Sequence, residues 1–218
     1  MADKVRLRRK DIKQPDEFIT LTTQAATWAR GHQTAAIGIG VGAVAILLAI
    51  GIATAYHGAR VRDANADLSR ALTKLEANDF QAATTDLTEV SARWDGTAIA
   101  PLATLLAANA AVDAGNPDAA IAALGKLQAQ SGSLPWYLQQ QTLVAWGVAL
   151  EAKHEWLDAA EKYKQAAALT GPYTGAAVLG EARTRELGGE TDRARELYRQ
   201  AYEQFPDLPQ HDLVAAKL

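Results

Sequence analysis

"HEWLDAAEKYKQA" (residues 154–166) and "GETDRARELYRQA" (residues 189–201) follow one pattern, 35 residues apart. Each opens on a turn-like residue, places an alanine five positions on (Ala159, Ala194) and a tyrosine nine on (Tyr163, Tyr198). Further back, "GNPDAAIAALGKL" (115–127) and "NDFQAATTDLTEV" (78–90) keep the frame, with Ala120 and Ala83 at the fifth offset and Leu124 and Leu87 at the ninth. Another apolar residue falls twelve on: Val90, Leu127, Ala166 and Ala201. The four starts, Asn78, Gly115, His154 and Gly189, are 37, 39 and 35 residues apart. Offsets of five, nine and twelve fall on one side of a helix that begins just after the turn. Alanine at the first lets a preceding antiparallel helix come close, and the larger side chain fills the space beyond it. A second helical stretch precedes each turn, at roughly 60–77, 99–114, 136–153 and 173–187, so the spacing predicts four helix pairs. "RWDGTAIAP" and "SGSLPWYL" join units, with Gly96, Pro101, Gly132 and Pro135 as breakers.

This pattern resembles the tetratricopeptide repeat (TPR), whose helix pairs carry W-x-x-L-G-x-x-Y in the first helix and G-x-Y-x-x-A-x-x-x-F/Y in the second. "HEWLDAAEKY" keeps the aromatic and the alanine, and "GETDRARELYRQAYEQFPDLP" keeps glycine, alanine, tyrosine and the closing proline. The third unit also carries a bulky–small step, Trp146-Gly147, in its first helix. The first two units are looser, with Pro117 where the family has an aromatic. The resemblance covers residues ~60–210 and implies a right-handed stack of helix pairs whose inner wall, built by the first helices, binds partners. By the family pattern the residues facing that groove include Asn109, Asp113, Gln141, Glu151, Arg183 and Glu186. Their mixed charges lead to the expectation of a polar peptide or protein partner, with no small-molecule substrate.

N-terminal to the repeats, Ala35–Tyr56 is 22 residues without a charge, and its only polar groups are Thr54 and the Tyr56 hydroxyl. As a helix rising ~1.5 Å per residue it covers roughly 33 Å, enough for a hydrocarbon core of ~30 Å. Gly38, Gly40 and Ala43 also fit the G-x-G-x-x-G/A spacing of a dinucleotide-binding turn, with Asp63 20 residues past Ala43. That fold needs a strand before the glycines and a helix with one polar face after them. Here "TWARGHQT" precedes and "AVAILLAIGIA" follows, so the run reads as a membrane span. Trp28 and Tyr56 sit near its ends, where amphipathic rings prefer the interface. Gly38 and Gly42 form a G-x-x-x-G pair that would let another span approach closely. Ala53-Thr54-Ala55 has the look of a signal cleavage site, but its leader would be far longer than the ~7–15 apolar residues of a signal.

The net charge of −3 conceals an asymmetry: residues 1–34 carry seven Lys/Arg against four Asp/Glu, and residues 57–218 carry fifteen against twenty-one. A mildly acidic body argues against nucleic acid, which requires a basic face. The basic tip "MADKVRLRRKDIK" argues for a tail kept inside. Behind it, "QPDEFITLTTQAATWARGH" places Phe18, Leu21, Ala25 and Trp28 at helical spacing, as a short amphipathic helix would. The chain has no cysteine, and its four histidines (His32, His57, His154, His211) are scattered. No nucleophile elbow, P-loop or metal-ligand spacing is present in the sequence. No catalytic residue, metal site or cofactor is therefore expected, and Trp94, Trp136, Trp146 and Trp156 are expected in the core.

The whole is expected to be all-α: a basic cytoplasmic tail with a short amphipathic helix (1–34), a transmembrane helix (35–56), a TPR-like α-solenoid of about four pairs (57–210) and a C-terminal tail (211–218). This order of parts is similar to the single-span bacterial TPR proteins typified by the ancillary subunit of the SecYEG translocon. The resemblance implies inner-membrane localisation, a periplasmic repeat domain, and translocon or periplasmic chaperone partners. An accessory or assembly subunit of another membrane complex, a respiratory one for example, fits the same layout, and an anchored enzyme is a third reading for which no site chemistry is found.

Overall fold

The structure, a computed structural model, describes residues 31–218, with side chains at 31, 32 and 41–218. The basic tip, the expected amphipathic helix and the surroundings of Gly38 lie outside the described residues. The chain divides into two compact units, Met1–Ala59 and Arg60–Leu218.

Among the described residues the regular structure is helical: α1 Gln33–Glu76, α2 Phe80–Arg93, α3 Ile99–Asp113, α4 Pro117–Ala129, α5 Trp136–Ala152, α6 Trp156–Ala167, α7 Thr174–Leu187, α8 Thr191–Gln204 and α9 His211–Ala215, with a 3₁₀ turn at Ser131–Ser133. The expected boundary between the apolar run and the first repeat helix is not a break. No proline interrupts residues 57–76, so one helix runs through both.

In the first unit, the described side chains of α1 from Val41 to His57 are all exposed, Ile46, Leu47 and Ile52 among them. Among the described residues, α1 is the one helix both long and apolar enough to cross a membrane. Thr54 donates its hydroxyl back to the carbonyls of Ile50 and Gly51, each at 2.9 Å, which leaves that polar group satisfied within the helix. A side chain at Gly42 would meet nothing within 4 Å.

In the second unit the helices pack as antiparallel pairs: residues 60–76 of α1 with α2, then α3/α4, α5/α6 and α7/α8. The four turns share one device. Asn78, Gly115, His154 and Gly189, the first residues of the aligned stretches, all take left-handed backbone conformations, with φ of 57°, 77°, 62° and 88°. At each, two successive backbone N–H groups fold back on the ending helix. The second of them closes the wider loop, from Asp79 to Lys74, Asn116 to Ala111, Glu155 to Leu150 and Glu190 to Arg185, at 2.7–3.0 Å. The next helix is capped by a short side chain in the first two turns, where Asp79 accepts from Ala82 N–H and Asn116 from Ala119 N–H. In the last two turns Glu155 and Glu190 stand there instead and pair with Lys153 and Arg185.

Past the turns the expected offsets are borne out. Ala83, Ala120, Ala159 and Ala194 are buried, as are Leu87, Leu124, Tyr163 and Tyr198, and Val90, Leu127, Ala166 and Ala201. They join small buried residues of the first helices, such as Ala71, Ala107, Ala149 and Ala182, in successive clusters along the stack. The segment expected as a C-terminal tail contains α9 instead. Its Val214 is 2% exposed and sits with Tyr198 and Ala201, where a next first helix would lie.

Candidate interaction groove

The last two pairs carry a polar ladder. Tyr163 donates its hydroxyl to Glu151 at 2.5 Å, and Tyr198 donates to Glu186 at 2.7 Å, the same twelve-residue step from first helix to second. Arg183, from the next first helix, donates to both oxygens of Glu151 at 3.1 and 2.6 Å; Lys217 reaches both oxygens of Glu186 at 2.8 and 3.0 Å. In the first two pairs, the corresponding steps join Leu75 to Leu87 and Val112 to Leu124, all hydrocarbon. Burial, then the carboxylate beside it, pushes the Tyr163 hydroxyl well above its ordinary value, and the same two causes raise Tyr198. The hydrogen bond from Lys217, followed by that from Tyr198, lowers Glu186. Glu151, Arg183 and Glu186 are thus engaged within the fold.

Two of the other expected groove residues come together. Asn109 on α3 and Gln141 on α5 line a groove of about 410 Å³ between these two first helices, over Leu102, Leu106, Val144 and Val148. Tyr173 closes one end, and its hydroxyl accepts a hydrogen bond from Gln141. None of the lining side chains is charged. Asp113 is exposed at the end of α3, apart from this lining. Three of the expected groove charges thus pair with one another or with the chain's own tyrosines and lysine, and the opening between α3 and α5 is apolar with amide and phenol groups along it.

Two features escaped the sequence reading. Gln140 is fully buried and holds the join before α7. Its amide N–H groups reach the carbonyls of Ala166 and Leu169 and the Thr174 hydroxyl, and its oxygen accepts from Tyr173 N–H at 3.2 Å. A glutamine inside a run of three gives no periodic signal that would separate it from its exposed neighbours. Trp136, expected in the core, is 59% exposed, because it starts α5 at the open edge of the stack. Trp94, Trp146 and Trp156 are partly buried, with Trp94 donating to Asp67 at 2.9 Å and Lys162 lying 4.0 Å above the Trp146 ring. Among the described residues no group of three His, Asp or Glu side chains is placed to hold a metal ion.

No protein-family model and no curated protein matches the sequence. Among solved structures the chain is similar to a crystal structure of a Podosopora anserina protein assigned as a kinesin light chain with nearly identical TPR-like repeats. The TM-score is 0.60 at 19% identity, over 71% of this chain and 82% of that one. A single-substitution variant of that protein matches equally well, with a TM-score of 0.60 at 18% identity over the same shares of the two chains. At that identity the likeness defines the fold, a TPR-like α-solenoid.

Proposed function

We propose that the chain is a membrane-anchored interaction scaffold whose uncharged groove between α3 and α5 holds an apolar-faced segment of a partner protein. The groove carries this reading: Leu102, Leu106, Val144 and Val148 offer hydrocarbon, while Asn109, Gln141 and Tyr173 offer hydrogen bonds that fix register. The bare, uncharged surface of α1 from Val41 to Tyr56 supports anchoring in lipid. The basic tip supports an orientation with the tail in the cytoplasm and the repeats on the outer face of the membrane, the periplasm in a bacterial cell. The translocon-linked role rests on the order of parts alone.

Purification of the full chain from membranes in mild detergent, with and without Val148→Glu, tests the reading. Val148 is 42% exposed on the groove, so the charge disturbs the opening and not the core. A protein that accompanies the wild type and is lost from the variant supports the groove. A full chain that stays monomeric in water without detergent sinks the anchor. The open surface at Gly42 favours a second reading, an accessory subunit held by its span in a larger membrane complex. In that case Gly38→Leu with Gly42→Leu removes the partner and Val148→Glu does not.

A further inference from the structure

The first helices of the repeats run parallel, so their N-terminal ends share one edge with the joins 94–98, 130–135 and 168–173. Contacts within the second unit trace that edge. Arg60 donates to the Asp95 carbonyl at 3.2 Å. A cavity of about 550 Å³ then opens between Asp95–Pro101 and Leu134–Leu138, with Lys126 and Tyr137 on its wall. Beyond it Trp136 lies beside Gly171. The edge bears two adjacent exposed aromatics, Trp136 (59%) and Tyr137 (46%), their rings edge to face with centroids 5.9 Å apart.

From this placement we infer that the Trp136–Tyr137 edge rests in the lipid headgroup layer, as an interfacial contact separate from the groove. Arg60 stands on this edge, and Tyr56, where the uncharged run ends, precedes it by four residues, a reach of at most about 14 Å in extended chain. Tethered that closely, this edge is the part of the unit that meets the bilayer surface. Trp and Tyr suit that surface because each has an apolar body and a polar handle. The indole and phenol would insert among headgroups, with Lys126 and Arg60 near lipid phosphates. The other edge, with the turns at Asn78, Gly115, His154 and Gly189, would point away from the lipid.

The inference rests on the span reading, and the test separates the two. The chain has no cysteine, so single introduced cysteines take a spin label cleanly. Four full-length variants are reconstituted in vesicles of phosphatidylcholine with a minority of phosphatidylglycerol: Ile46→Cys, Trp136→Cys, Tyr137→Cys and Asp192→Cys, the last exposed on the opposite edge. Power saturation then compares collision with oxygen, which favours lipid, and with a water-soluble nickel chelate. The expected result is an oxygen-to-nickel ratio highest at 46, severalfold higher at 136 and 137 than at 192, and lowest at 192. If 46 reads as lipid while both 136 and 137 match 192, the edge contact is wrong and the span stands. If 46 itself reads as water, the span reading fails and takes this inference with it.

Discussion

Tyr163 lies so close against Gly147 that a side-chain carbon on the glycine would meet its ring at 2.7 Å. Gly180, on the next first helix, approaches the same ring, with a corresponding distance of 2.9 Å. One tyrosine therefore sets the spacing of α5 and α7 against α6. Gly147→Ala or Gly180→Ala overpacks this point and is expected to destabilise the chain by about 1–3 kcal/mol. Because both changes press on one ring, the double variant is expected to depart from the sum of the singles. Thermal or denaturant unfolding of the three variants measures this.

Gly115 and Gly189 occupy left-handed turn positions with open space around the missing side chain, whereas Gly132 has the space without the left-handed conformation. Alanine at Gly115 or Gly189 is thus expected to cost about 1–2 kcal/mol through the backbone alone. Gly132→Ala is expected within about 0.5 kcal/mol of the wild type. Equal losses at all three would mean that the turns do not depend on the left-handed residue.

Gln140, itself fully buried, ties together backbone groups of the join before α7. Gln140→Leu keeps most of the volume and leaves the Tyr173 N–H and the Leu169 carbonyl without this partner, at about 1–3 kcal/mol. Amide exchange is expected to speed up first at Tyr173, ahead of the helices on either side.

The acid response follows from Asp67 and Glu186. Asp67 is lowered chiefly by the Trp94 indole and then by Arg93, Glu186 chiefly by Lys217. A carboxylate lowered on folding stabilises the native state above its ordinary value, 3.8 for Asp67 and 4.5 for Glu186, and loses that contribution as the pH falls through the lower folded value. Stability is expected to hold from neutral pH to about pH 5 and then to fall. In Glu186→Gln that decline is expected to be shallower, as read from urea midpoints across the acid range.

The repeat was legible because its inward residues recur at fixed offsets. Ala159 and Tyr163 name one face, and Asn78, Gly115, His154 and Gly189 are types that tolerate or favour the left-handed turn. The limits have equally local causes. Trp136 and Trp146 look alike in sequence, yet one starts a helix at an open edge and the other lies within α5, beneath the Lys162 ammonium. The family pattern assigns Glu151, Arg183 and Glu186 to the groove, but nothing local reveals that Tyr163, Tyr198 and Lys217 would engage them. Val214 was missed because five residues are too few to carry a period.

The polar rungs at Glu151–Tyr163 and Glu186–Tyr198 have only hydrocarbon counterparts in the first two pairs, and this gives the solenoid a grain. A stack in which each pair leans on its neighbours can fray from either end. Protonation reaches both ends, through Glu186 at one and Asp67 at the other, and the Glu186 end is expected to weaken first because its ordinary value is the higher, 4.5 against 3.8. Exchange mass spectrometry near pH 4, an acidity set by the ordinary carboxylate values, is expected to find α8 and α9 opening ahead of α2. Simultaneous loss of protection at both ends would mean that the column has no such direction.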